Sequence, residues 1–250
     1  MLNRASKPFV KLVERYLPDP YIFVLLLTLI TFAFAVVIQN QSPLTTIQQW
    51  GDGFWGLLTF SMQMLLVLVT GFMLACTPLV KSLLERLASL AKSPGSAIVL
   101  VTLVSLIASW INWGFGLVVG ALFAKALARK VSVDYRLLVA SAYSGFIVWH
   151  GGLAGSVPLT IATPGHFSEA QIGVIGTGET IFSGFNLLLL AIMFVIIPLV
   201  NRLMLPPESE SIIVDSAKLQ DDALPSPTNE RPADKLENSK VLGLLVGFAG

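Results

Sequence analysis

Apolar residues run in long blocks along this chain, and charge is confined to the gaps between them. No Asp, Glu, Lys or Arg occurs from Tyr21 to Gly51, from Gly53 to Val80, from Ser93 to Ala124 or from Leu137 to Ser168. About 20 apolar residues wound as a helix cross the roughly 30 Å hydrocarbon core of a bilayer, and several of these blocks reach that length. The pattern predicts an all-α integral membrane protein with four spanning helices, one of them discontinuous, and a re-entrant hairpin. Tyr21–Ile38 is the first span. A basic start followed by an apolar stretch and Ala33-Phe34-Ala35 also fits a cleaved signal peptide, but the apolar run continues past Ala35. Phe54–Cys76 is the second span, Leu137–Ala162 the discontinuous one, and Ile181–Val200 the last.

The third block, Ala97–Ala124, does not fit a simple crossing. Lys81, Arg86 and Lys92 precede it, and Lys125, Arg129, Lys130 and Arg136 follow it. Lys and Arg collect in cytoplasmic loops, so both ends prefer the same side. Two full crossings need roughly 40 residues, more than this block holds. A hairpin that dips in and returns satisfies both constraints, with its tip in the polar, glycine-containing stretch Ser109–Gly116. One long tilted span is the alternative. The same rule places the N-terminus and the loop after the second span in the cytoplasm, and Gln39–Gly53 and Gly165–Thr180, which lack Lys and Arg, outside. The block from Leu137 is broken differently: Gly151, Gly152, Gly155 and Pro158 disfavour a continuous helix, so the helix is expected to unwind between Gly151 and Ser156.

The ends are of another kind. Residues 1–20 read as an amphipathic segment lying on the membrane, with Phe9, Leu12, Val13, Tyr16 and Leu17 on one side. Residues 21–205 form the transmembrane domain. Residues 206–240 hold five prolines and eight acids against four bases, the signature of a disordered cytoplasmic linker. Val241–Gly250 restarts an apolar run too short to span anything, which reads as the truncated start of a next helix.

Composition narrows the function. Charged residues make up 12% of the chain, about half the usual share of a soluble domain, so membrane lipid is the expected surrounding. The net charge of +1 offers nothing to nucleic acid. Cys76 is the only cysteine, and His150 and His166 stand in no metal-ligand spacing. No catalytic constellation or cofactor motif is present, so the chain does not read as an enzyme. The two broken elements remain. Non-helical backbone at membrane depth survives only where protein or a water-filled cavity covers it, and transporters build midplane sites from such pieces. Free N–H groups at half-helix N-termini suit a carboxylate without a buried arginine. The candidate substrate-binding residues are therefore Asn112, Trp113 and Gly114 at the hairpin tip, and Gly151, Gly152, Ser156 and Thr160 at the break. Trp113 and Phe115 are placed to face a short alkyl tail, and the site suits a small monovalent acid. Each residue also has a plainer reading. The glycines serve close helix packing, Trp149 anchors the interface, His150 is either a proton shuttle or a structural histidine, and Asp52 and Glu179 are simply solvated.

At Leu17–Pro20, Trp50–Trp55, Ile111–Gly120, Ala162–Gly165 and Phe182–Asn186 the chain resembles the short-chain fatty acid transporters of the AtoE type. The resemblance implies uptake of acids such as acetoacetate or butyrate at the inner membrane, with H+ or Na+ as the coupling ion. It also implies a larger protein, in which this chain is one half of an inverted-repeat, ion-transporter-like fold. A homodimer, a carrier for another small anion such as a dicarboxylate, and a membrane fragment that transports nothing stay open.

Overall fold

A computed structural model of the chain describes residues 8–10, 13, 19–56, 58–166, 168–215, 219, 239 and 241. The expected amphipathic segment, the linker and the restarted apolar run fall almost wholly outside these. The chain divides into two units, residues 1–214 and 215–250, and the first carries everything that follows.

The first unit is helical throughout. In chain order its helices are α1 (Pro20–Val37), α2 (Pro43–Gly56), α3 (Leu58–Ala75), α4 (Pro78–Ala88), α5 (Pro94–Ile111), α6 (Trp113–Lys130), α7 (Tyr135–Ser144), a 3₁₀ helix over Gly145–Gly151, then α8 (Ser156–Ile161), α9 (Glu169–Ile172) and α10 (Gly184–Leu203). Among the described residues, Pro20–Val37, Pro94–Ile111, Tyr135–Ile161 and Gly184–Leu203 are long and apolar enough to cross a membrane. A fifth candidate is the pair Met64–Ala75 and Pro78–Ala88, which meet at 65°.

Local chemistry sets these boundaries. Proline at the first helical position, where the missing N–H costs nothing, opens α1, α2, α4 and α5. Asp19 caps α1 through Tyr21 N–H at 2.9 Å, and Ser93 and Ser96 form a reciprocal capping box on α5. Thr77 caps α4 just ahead of Pro78, and this stop-and-restart produces the bend.

α5 and α6 pack as an antiparallel pair. Gly116 lies against Ser109, and four residues further along α6 Gly120 lies against Ser105, four residues further back along α5. α7 runs parallel to α5, with Gly145 on Ser105 and Gly152 on Trp110. Ile98, Val101, Phe123, Leu127 and Leu138 fill the core between these three helices and α4. Inside it lies a polar strip of Thr102, Ser105, Ser109 and Ser141, each at most 1% exposed. Asn201 Nδ2 donates to Thr102 Oγ1 (3.0 Å) and to Ser144 Oγ (2.8 Å), which ties α10 to both α5 and α7. By contrast, α1 has no buried residue. An all-round apolar helix of this kind fits a lipid-facing position.

The basic ends of α5–α7 are fastened by charge. Arg129 and Lys130 pair with Glu85 at 2.8 and 3.2 Å. Asp134, 2% exposed, caps α7 through Leu137 N–H (2.9 Å) and accepts from Ile212 N–H (2.9 Å) and Arg136 (3.0 Å). Burial alone would raise its pKa, but these three donors outweigh burial and hold the carboxyl below its ordinary value.

Candidate functional site

The turn between α5 and α6 consists of one residue. Asn112 adopts an extended conformation (φ −154°, ψ 125°), closes α5 through its N–H to Ala108 O (2.9 Å) and opens α6 through its carbonyl to Gly116 N–H (2.8 Å). Its side-chain oxygen accepts from Phe115 N–H at 3.0 Å. Of the unpaired N–H groups that any helix start presents, those of Trp113 and Gly114 carry no hydrogen bond among the described residues.

The break faces this tip. α7 does not unwind abruptly: it tightens into the 3₁₀ helix from Gly145, and the backbone leaves helical geometry only over 152–155. Leu153 N–H donates to Trp110 O at 2.7 Å, so the loosened strand of one element is bonded to the last turn of the other. Gly152 makes this approach possible. A side chain there would place its Cβ 2.9 Å from Trp110 Cα, closer than packed atoms come. On the other side, Asn186 of α10 donates from Nδ2 to Gly151 O (3.0 Å) and to Ile181 O (2.7 Å).

The 3₁₀ winding also has a side-chain consequence. Residues three apart eclipse in such a helix, and Tyr143, Phe146 and Trp149 have that spacing. Ring centroids lie 5.9 Å apart for Tyr143–Phe146 and 5.0 Å for Phe146–Trp149. Trp113 of the hairpin tip joins this row, 5.4 Å from Trp149 and 6.3 Å from Phe146. The result is an aromatic surface beside the N-terminus of α6.

Asn112, Trp113, Gly151 and Gly152 are thus drawn into one neighbourhood. The other expected residues differ. Gly114 turns toward α3, where a Cβ would meet Val67 O at 3.0 Å, so it serves packing. Ser156 opens α8 instead of lying in the unwound stretch. Thr160 is exposed and its hydroxyl is bonded to Ser156 O at 2.7 Å. No hydrogen bond among the described residues joins either side chain to the tip. Phe115 packs against the main core and not beside Trp113. His150 is exposed and stacks on Trp149 at 4.3 Å. Trp110, Phe146, Trp149 and Asn186 were not among the residues the sequence singled out for the site. The three-residue aromatic spacing could have flagged two of them. Nothing local marks Asn186, whose partners lie across a gap of 35 positions. At the same junction two buried polar atoms, Ser109 Oγ and Trp110 Nε1, have no partner among the described residues.

The family profile described as short chain fatty acid transporter matches residues 1–250. A protein of Escherichia coli (strain K12) named "Putative short-chain fatty acid transporter" is 46% identical over 254 residues, and one of the same name from Haemophilus influenzae (strain ATCC 51907 / DSM 11121 / KW20 / Rd) is 40% identical over 265. Each match covers 100% of this chain and 58% of the relative, so the chain spans less than two thirds of the curated relatives it matches. No solved structure matches it. With its four to five candidate spans and a full-length profile match, this multi-pass membrane chain belongs to the short chain fatty acid transporter family.

Proposed function

We propose that this chain forms part of a secondary carrier that moves short-chain monocarboxylates, acetoacetate and butyrate among them, across a bacterial inner membrane. The observation that carries the reading is the bond from Leu153 N–H to Trp110 O. Two interruptions of helix geometry, each costly at membrane depth, meet in charge-free sequence instead of being scattered. The carboxylate binds at the start of α6, where the Trp113 and Gly114 N–H groups and the helix dipole favour an anion. The acyl tail rests on Trp113, Phe146 and Trp149. One carboxylate is served and no cationic side chain stands by for a second, which favours monocarboxylates over dicarboxylates.

The hairpin α5–α6 re-enters the side it came from. Its second arm has only Trp113–Ala124 free of charge, about 18 Å of helix against a core of roughly 30 Å. Lys125, Arg129 and Lys130 then return it to the cytoplasmic face, where the N-terminus also lies. H+ or Na+ drives accumulation, and the chain supplies one repeat of an inverted pair.

Uptake of labelled butyrate into proteoliposomes tests this, with Asn112→Ala beside the parent. The substitution removes the α6 cap, and uptake is expected to fall by about tenfold, in line with roughly 1 kcal/mol for a cap plus disorder at the tip. Undiminished uptake takes the tip out of the site. Competition by succinate stronger than by acetoacetate reverses the substrate ranking.

A further inference from the structure

Two polar groups of the broken segment are held from opposite sides. Leu153 N–H is taken by Trp110 O of α5. Gly151 O, at the end of a 3₁₀ helix where carbonyls run out of partners, is taken by Asn186 of α10. The first link joins backbone to backbone and no substitution removes it directly. The second depends on one side chain. We propose that Asn186 is the positioning residue of the site: its amide latches the break to the N-terminal turn of α10, so that α10 and the Gly151–Leu153 backbone move as one piece. This deepens the transport reading and rests on it for its effect on substrate.

The geometry is specific to asparagine. A single NH₂ group donates to two carbonyls, Gly151 O and Ile181 O, at 3.0 and 2.7 Å. An aspartate has no donor and would set its charge against both oxygens. A leucine fills the volume but leaves both carbonyls unpaired. The α10 backbone is itself fixed at this point, because Ser183 Oγ caps Asn186 N–H at 3.3 Å. The partner glycine is matched to the latch: a Cβ on Gly151 would lie 2.7 Å from Asn186 Oδ1 and 3.3 Å from Leu190 Cδ2. Gly151 therefore lacks a side chain because Asn186 occupies its place.

The test reads the latch without reference to substrate. In a Cys76→Ser background, Leu153→Cys reports on the break and Ala88→Cys, 0% exposed, on the core. Both are labelled with a membrane-impermeant maleimide in proteoliposomes of the full chain. Asn186→Leu and Asn186→Asp are expected to raise labelling at position 153 by about tenfold, the factor for one to two lost buried hydrogen bonds, with no change at position 88. Butyrate uptake should lose Vmax more than affinity. Gly151→Ala combined with Asn186→Ala should be no worse than Asn186→Ala alone, because clash and latch are one contact. Unchanged labelling at 153, a parallel rise at 88, or additive losses in the double variant each overturn the latch. If labelling responds as expected while the parent shows no butyrate uptake, the latch stands and the carrier reading falls.

Discussion

Gly152→Ala should be among the most damaging one-methyl changes in this chain, and the reason is contact, not conformation. Gly152 has φ −99° and ψ 177°, extended backbone that alanine adopts freely. What alanine lacks is room: its Cβ would sit 2.9 Å from Trp110 Cα and 3.0 Å from Trp110 C, all backbone atoms of α5 that no rotamer change can withdraw. Relief requires the two segments to separate, which breaks the bond from Leu153 N–H to Trp110 O at 2.7 Å. Overpacking costs about 1–3 kcal/mol, and stranding a buried backbone donor costs about 1–3 more, so the loss is roughly 2–5 kcal/mol. At about 1.4 kcal/mol per factor of ten, uptake that needs the junction intact falls by more than about 30-fold. The control is the same substitution at Gly53 in α2, where nothing lies within 4 Å. There alanine replaces glycine inside an open helix and should stabilise by about 0.5–1 kcal/mol. The assay is thermal unfolding in detergent for both variants, with labelled butyrate uptake alongside. Opposite signs are expected. Gly152→Ala with parental stability and uptake would refute the claim that tip and break are joined through this glycine.

Three further outcomes follow from other contacts. Asp134 has a depressed folded-state pKa, so its contribution is complete above the ordinary value of 3.8 and is lost as pH falls through the lower folded value. Melting temperature measured from pH 7 to pH 3 should therefore drop at the acid end for the parent, whereas Asp134→Asn should start lower, by about 1–3 kcal/mol, and vary less over that limb. Trp149→Ala removes the ring shared by Trp113 and Phe146. The apparent KM for butyrate should rise several-fold, with less effect on acetate, measured as a ratio of the two acids in the same vesicles. Asn201→Leu leaves the hydroxyls of Thr102 and Ser144 without their donor, and a loss of about 1–3 kcal/mol in thermal unfolding is expected.

Much of the architecture could be read from where charge is missing. α1 begins and ends within one residue of the expected Tyr21–Ile38, and α10 lies three residues beyond the expected Ile181–Val200. The hairpin turns inside Ser109–Gly116 because an asparagine there can leave helix geometry and cap the next helix at once. Less legible was the second span. A charge-free run from Gly53 to Val80 looks uniform, yet Thr77 and Pro78 stop and restart the helix with a 65° bend. Gln39–Gly53 lacks both charge and long apolar runs and reads as a loop, but most of it is α2. Hydropathy measures solvent preference, and capping residues decide helix ends; the two signals are independent.

The site divides along the same line. Glycines and proline mark where a helix is weak, so Gly151 and Gly152 were visible in sequence. They do not say what the weakened backbone does next, and here it tightens into a 3₁₀ helix before it opens. That tightening shifts the functional face: side chains that a continuous α-helix would spread by about 100° per residue are brought into line, so Phe146 and Trp149 take the place beside Trp113 that Phe115 was expected to fill. It also leaves Ser156 and Thr160 on the far, rewound side of the break, where Thr160 spends its hydroxyl on its own helix. The partner that holds the break, Asn186, comes from a helix 35 positions away and is chosen by donor count, a property no local pattern reports. A single chain betrays where its backbone will give way. Which neighbour then supports it is a tertiary fact, and in this family it is the support that decides whether a broken helix becomes a binding site.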